Sequence, residues 1–481
     1  MAKSEREIQD YIWENREHLC DFIPDVPPNS KSSKKPWEYE PWELLYEKII
    51  SEYYQELRYL KGLNLFGCEV GLPKEGENTI RSDFFGCIDG ANGFVVCELK
   101  VNPSAERQAY TELFAYGNYI RSKFAPMGKR DILYLLISPM EERIVREATI
   151  CNLLYDRNRV VALIPKWNDD EDTLQLDVWI PEKEEFKIIS KTSFAFTNIE
   201  TTKVVWRCPG KWSPLRKGKK PTRRMIHQLN QVASYAAQIM ESKGINGFAY
   251  CSQLYPQYRD EGWLENSLVI CGINPFKSAK TRFLYQHGCN LKDAAETKID
   301  YLSIFNMLPN LKNKSKEVNE DSNYWEEMGA SWSSALDQIA FDVRNSVILK
   351  FVGGPIETDY GMFDWDSYLN NSGEDFGCWN YDIHLTGVLR EIYDLKLQKH
   401  YAASKDYSLE EKGAVVDSGL LEPYYIDMLN SQDHVREFLR SVTEGAEDDV
   451  LENPGQSDIE SFEYKGCNLF PDNIEELVKD R

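Results

Sequence analysis

The 481-residue chain has no run of about 18 apolar residues, so no segment is predicted to span a bilayer. It also has no CxxC pair. Its eleven cysteines are scattered from Cys20 to Cys467 and odd in number, which argues against a disulfide scaffold or a zinc ribbon and fits a reducing cytosol. Histidine is scarce: His18, His227, His287, His384, His400 and His434 show neither HExxH nor any paired metal spacing, so a zinc hydrolase gains no support. A GxxxxGK phosphate loop and a GxSxG nucleophile turn are both missing, which leaves a P-loop motor and an α/β-hydrolase unsupported. The chain opens directly on a charged, amphipathic helix pattern without an apolar signal core, and the expectation is a cytoplasmic protein.

What is present is ample core material, with 42% hydrophobic and 28% charged residues. At roughly 100–200 residues per domain, two or three domains are expected. The net charge of -22 runs against the simplest nucleic-acid binder, which would be basic overall. The charge is uneven, however. Residues 203–224 contain nine Lys/Arg and no acid, whereas residues 444–463 are almost purely acidic.

Periodicity divides the chain. Residues 4–19 read as a helix, with Ser4 and Glu7 at capping-box spacing and Ile8, Tyr11 and Ile12 at helical intervals. A Pro/Ser/Lys loop leads to a second helix, residues 41–60, carrying Leu44, Leu45, Ile49 and Tyr53 on one side. Residues 64–72, 79–88 and 93–101 then read as strands, the last two joined by the turn signal Asp89-Gly90-Ala91-Asn92. A helix (103–122), a nearly all-apolar strand (131–138), a helix (141–155) and a strand (159–165) complete an α/β sheet flanked by helices. The predicted organisation is an N-terminal domain over 1–200, a basic linker over 201–222, a second α/β domain over 223–400 and an acidic C-terminal region over 401–481. The second domain, with a helix at 223–242 and strands at 268–274, 301–307 and 346–352, is expected to be Rossmann-like.

The chemistry-bearing segment is Arg81-Ser82-Asp83, a hairpin, and Glu98-Leu99-Lys100. Strand alternation puts Glu98 and Lys100 on one face. A two-residue turn at Gly90-Ala91 brings Asp83 opposite Glu98, with Cβ atoms about 4.5–5.5 Å apart. Facing carboxylates destabilise a strand pair, and Val95, Val96 and Leu99 mark this strand as largely buried. A divalent cation resolves the conflict, since Mg²⁺ takes one or two carboxylates and keeps several waters. Lys100 would then orient or deprotonate a metal-bound water for phosphodiester hydrolysis. The plainer alternative is a half-exposed hairpin with a Glu98–Lys100 surface ion pair; Asp83 in register and Gln108 on the next helix favour the chemical one.

The pattern D-(turn)-VVCELK, followed by a helix bearing Gln108 and Tyr116, resembles the PD-(D/E)xK nuclease superfamily, in particular its RecB-like and mismatch- or branched-DNA-cleaving branches. The resemblance covers roughly residues 1–165, and the opening helix is similar to the acidic first helix of those enzymes. It implies a restriction-endonuclease-like mixed sheet flanked by helices and a Mg²⁺- or Mn²⁺-dependent DNA endonuclease acting in defence, restriction or repair. On that resemblance Asp83, Glu98 and the Leu99 carbonyl would hold the metal, Lys100 would activate water, and Gln108 and Glu7 would support the site. Glu7 is equally accounted for as the acid of a capping box, and Asp89 as turn chemistry. Ser82 stands where the motif has proline, no histidine precedes Asp83, and no cysteine cluster suggests an iron–sulfur variety. The alternatives are a catalytically inactive nuclease fold kept for binding nucleic acid or protein, or a uracil-DNA-glycosylase-like activity in the C-terminal domain.

Two further segments have a chemical reading beside a plain one. Lys217, Lys219, Lys220, Arg223 and Arg224, with Trp206 and Trp212 nearby, could hold phosphates and stack on bases, or form a solvated linker. The strand ending in Gly272-Ile273-Asn274-Pro275 resembles a turn of the uracil-DNA glycosylase superfamily, and is otherwise an ordinary Asn-Pro turn. The expected partners are DNA and, through the C-terminal domain, a second copy or another protein; no membrane is expected.

Overall fold

The structure is a computed structural model, and it describes residues 3–23, 25, 34–35, 38–88, 93–206, 222–254, 266–286, 324–352, 356–359, 378–403 and 432–443. Two compact units emerge: Met1–Ser33 with Leu45–Lys187, and Lys34–Leu44 with Ile188–Arg481.

The first unit is a six-stranded mixed sheet with helices packed on it. The strands β1 (Leu63–Leu72), β2 (Ile80–Ile88), β3 (Phe94–Leu99), β4 (Ile132–Ile137), β5 (Arg159–Asn168) and β6 (Thr173–Val178) lie in that spatial order. The pairs β1–β2, β2–β3 and β5–β6 are antiparallel, while β3–β4 and β4–β5 are parallel. Every residue of β4 is buried, as its uninterrupted apolar run requires of a strand covered on both faces.

The helices are α1 (Glu5–Glu14), α2 (Leu19–Phe22), α3 (Pro41–Leu60), α4 (Pro103–Lys123) and α5 (Arg143–Cys151). α4 starts where Asn102 accepts the Ser104 amide at 3.0 Å and Pro103 occupies the first turn. It packs Ala109, Leu113, Tyr116 and Ile120 against Val96, Ile132 and Tyr134 of the sheet. The approach is close: a Cβ on Gly117 would stand 2.3 Å from the Tyr134 hydroxyl oxygen.

Tyr53 on α3 ties that helix to β5. Its hydroxyl donates to the Ala162 carbonyl at 3.1 Å and accepts the Ala162 amide at 2.8 Å, all buried. Tyr53→Phe leaves that amide without an acceptor and is expected to lower stability by about 1–3 kcal/mol, read from the urea midpoint. An unchanged midpoint would show that the hydroxyl contributes nothing.

The second unit corrects the expectation of a Rossmann-like domain. Its sheet runs β10 (Ile356–Asp359), β7 (Ile199–Trp206), β9 (Asn266–Ile273), β8 (Gly247–Leu254) and β11 (Cys378–Asn380), with β12 (His384–Thr386) also pairing β8. All of its described pairings are antiparallel. A Rossmann-like unit needs parallel strands joined by crossover helices, and its ligand crevice lies at their carboxyl ends.

Helices α6 (Arg223–Ser242), α7 (Pro275–Gln286) and α8 (Tyr324–Val343) accompany this sheet. α6 and α8 pack Leu229, Ala233, Ala236, Leu336, Ile339 and Ala340 against Val204, Ile270 and Ala249. Residues 346–352, expected as a strand, are helical: a π-helical turn, Arg344–Ile348, carries α8 into α9 (Leu349–Val352). Short apolar runs fit a buried helix as well as a strand. α10 (Gly387–Ala403) and α11 (Gln432–Thr443) follow.

The 301–307 strand, the turn at 89–92, and most of the basic and acidic stretches lie outside the described residues. Among the described residues, no helix is long and apolar enough to cross a membrane.

Candidate functional site

The β2–β3 hairpin and α4 bring the expected residues together at the end of β3. Phe84 pairs with Cys97 and Phe85 with Val96, so Asp83 falls next in line against Glu98. Residues 83 and 85 of β2 are half-buried and alternate with buried neighbours. One oxygen of Asp83 accepts the Leu99 amide at 2.7 Å, and the other accepts the Gln9 amide group at 3.3 Å. Gln9, buried on α1, also donates to Glu69 at 3.2 Å.

Glu98 is buried, with 2% of its surface exposed. Lys100 donates to it in a short contact and lies 3.0 Å from Glu112 on α4. The lysine is thus clasped between two carboxyl groups, which also face each other.

Burial dominates the electrostatics. It pushes the Asp83 carboxyl up to about 6, against the pull of the Leu99 amide and Lys100 and with help from the Glu5 and Glu69 charges. Glu98 is also pushed up by burial, by its contact with Glu112 and by the Asp83 charge, more than Lys100 pulls it down. Glu112 moves the other way: burial raises it, but Glu98 and Lys100 together hold it below the ordinary carboxylate range. Glu98 thus holds a proton more tightly than a free carboxyl group and Glu112 less tightly, with Lys100 between them. Burial opposes the Lys100 charge, yet its two carboxyl neighbours hold its proton more tightly than in water. A lysine so held is a poor base.

The remaining expected residues stand elsewhere. Gln108 is exposed on α4, and Glu112, one turn further along, is the residue that reaches the cluster. Glu7 is exposed and closes the capping box: the Ser4 amide and hydroxyl each donate to it at 2.7 Å, while its own amide donates to the Ser4 hydroxyl at 3.3 Å. Those bonds hold its carboxyl below the ordinary value. Leu99 contributes its amide to Asp83. The sequence reading missed Gln9 and Glu112. Glu112 could have been found from the buried face of α4, since it lies beside Leu113 and four residues before Tyr116.

In the second unit Arg223 and Arg224 are exposed at the start of α6, and Lys217, Lys219 and Lys220 lie outside the described residues. Asn274 is fully buried and caps α7: its side-chain oxygen accepts the Phe276 and Lys277 amides at 2.9 and 3.3 Å, and its amide group donates to Glu200 at 3.2 Å. Beside it Gly272 is packed so closely that a Cβ would meet Trp332 at 2.8 Å and Leu336 at 2.9 Å. The Gly-Ile-Asn-Pro turn thus serves as a helix cap under α8.

The expectation of a Mg²⁺- or Mn²⁺-dependent nuclease is overturned. Among the described residues, no group of three or more His, Cys, Asp or Glu is placed to hold a metal ion. The physical reason lies in the network itself, where Asp83 turns to a backbone amide and Glu98 and Glu112 turn to a lysine and to each other. No family model, no curated protein and no solved structure matches the chain.

Proposed function

We propose that the chain is a non-catalytic binding protein whose first unit is a nuclease-like fold retained without hydrolytic chemistry. The observation that carries this reading is the clasp of Lys100 by Glu98 and Glu112, which neutralises within the protein the charges that hydrolysis would need. The mixed order of the sheet, antiparallel at β1–β2–β3 and parallel at β3–β4–β5, supports the nuclease-like ancestry. Nucleic acid is engaged through the basic stretch, Lys217, Lys219, Lys220, Arg223 and Arg224. Arg223 and Arg224 sit in the first turn of α6, which has no acidic residue. Cations there are disfavoured by the helix dipole, and a phosphate offsets that cost.

The test is incubation of the full chain with plasmid and single-stranded oligonucleotide in Mg²⁺ and in Mn²⁺. The expected result is intact nucleic acid, retarded in a gel, with affinity falling steeply as salt rises and weakened in Arg223→Glu/Arg224→Glu. Metal-dependent cleavage that disappears in Lys100→Ala would overturn the reading.

A further inference from the structure

Beside the carboxyl cluster runs a row of aromatic rings. Phe66 on β1, Phe85 on β2, Phe94 on β3 and Phe124 after α4 follow one another at centroid separations of 5.2, 5.3 and 5.1 Å. Phe66 and Phe124 at its ends are each 54% exposed. Phe85 and Phe94 are partly buried against the core, and the row ends at each side in a ring open to water. On β2 the row meets the carboxyl cluster directly, because Phe85 and Asp83 are two residues apart on the same face.

The charges around it are lopsided. The fields of Glu5 and Glu69 reach Asp83, those of Asp10, Glu69 and Asp83 reach Cys68, and Glu98 and Glu112 complete the set. Against these carboxyl groups stand Lys100, already clasped, Arg6, which lies 3.9 Å from Asp10, and Arg81, which pairs loosely with Glu69 at 3.8 Å. At the far end Lys123 lies over the Tyr119 ring at 5.3 Å, so cation-over-ring packing already occurs there. Excess negative charge next to open aromatic faces repels phosphate and suits guanidinium groups, which lie flat on rings and bond carboxylates in pairs.

We propose that the Phe66–Phe85–Phe94–Phe124 row and the carboxyl groups beside Asp83 form a docking groove for an arginine-rich segment of a partner protein. The proposal rests on the non-catalytic reading of the first unit and names the partner class for it. The rings supply stacking surfaces and Asp83 and Glu69 supply the anionic contacts, so both arginine and spacing are selected.

The experiment titrates full-length protein into a fluorescein-labelled peptide of alternating Arg and Ser, with a Glu/Ser peptide and a single-stranded oligonucleotide as comparison probes, each with and without Mn²⁺. Binding of the arginine peptide is expected, with roughly tenfold weakening in Phe66→Ser/Phe124→Ser and again in Glu69→Gln. The phenylalanine variant keeps every charge, and both positions are exposed, so its circular dichroism should match wild type. Equal binding by that variant would overturn the groove, because attraction to the net charge of -22 would then suffice. Competition by the oligonucleotide at the groove would overturn it too. Cleavage of the oligonucleotide in Mn²⁺ would instead sink the non-catalytic reading, so the two failures are distinct.

Discussion

Replacing Glu106 by alanine is expected to lower the stability of the first unit by about 3–5 kcal/mol. Glu106 is 0% exposed on α4 and serves as acceptor for three donors of the β4–α5 connection. One oxygen takes the Ser138 hydroxyl and the Met140 amide, the latter at 2.6 Å; the other takes the Glu142 amide at 2.9 Å. Met140 sits at φ 58, a left-handed conformation that a side chain adopts only when its surroundings impose it. Removing the carboxyl group leaves the Ser138 hydroxyl and the Glu142 amide without this acceptor and leaves the Met140 amide only a long 3.4 Å bond to the Ser138 hydroxyl, at about 1–3 kcal/mol for each group before relaxation. Glu106→Gln should lose less than the alanine variant, since one oxygen remains and only the other becomes a donor. Urea unfolding of the three proteins, followed by circular dichroism, measures the order. A loss below about 1 kcal/mol in Glu106→Ala would show that the connection holds without this acceptor.

The second large effect is a dependence of stability on pH set by Asp83. Its folded carboxyl is raised to about 6 from an ordinary value of 3.8, so the folded chain binds this proton more tightly than the unfolded chain. The resulting stability is fully present below about pH 4 and is lost as pH rises through 6; a shift of this size corresponds to about 3 kcal/mol. Asp83→Asn removes the ionisation while its side-chain oxygen can still accept the Leu99 amide. The variant is expected to be more stable than wild type at pH 7–8, by roughly 2–3 kcal/mol, and to lose the fall between pH 4 and 6. Thermal melts across that range decide the matter. Parallel profiles for the two proteins would mean that Asp83 ionises as freely in the fold as in water.

Much of the first unit is legible along the chain. Period-two and all-apolar runs mark β1 to β5, Pro103 and Asn102 mark the start of α4, and the hairpin spacing places Asp83 against Glu98. The hydroxyl of Ser4 and the acid of Glu7 announce the capping box three residues apart, where they meet. β6, β7 and β8 escaped notice: β6 alternates over only six residues, most of β7 fell within the expected basic linker, and β8 carries Gly247, Ser252 and Gln253 in a segment whose burial depends on its neighbours. Gln108 stood out on the helix that follows the motif, but helix rotation turns it to solvent and presents Glu112 instead.

By itself the sequence determined what is local: caps, turn spacing, strand faces and the apolar strand that must be covered on both sides, because each depends on neighbours within a few residues. Only the tertiary structure decided the rest. It set the direction of the second sheet's pairings, the reach of Gln9 from α1 to Asp83, and the use to which the carboxyl groups are put. A motif states which charges share a hairpin. Whether they await a cation or neutralise one another depends on the depth of burial and on a partner from a distant helix, here Glu112, which no spacing within the motif contains.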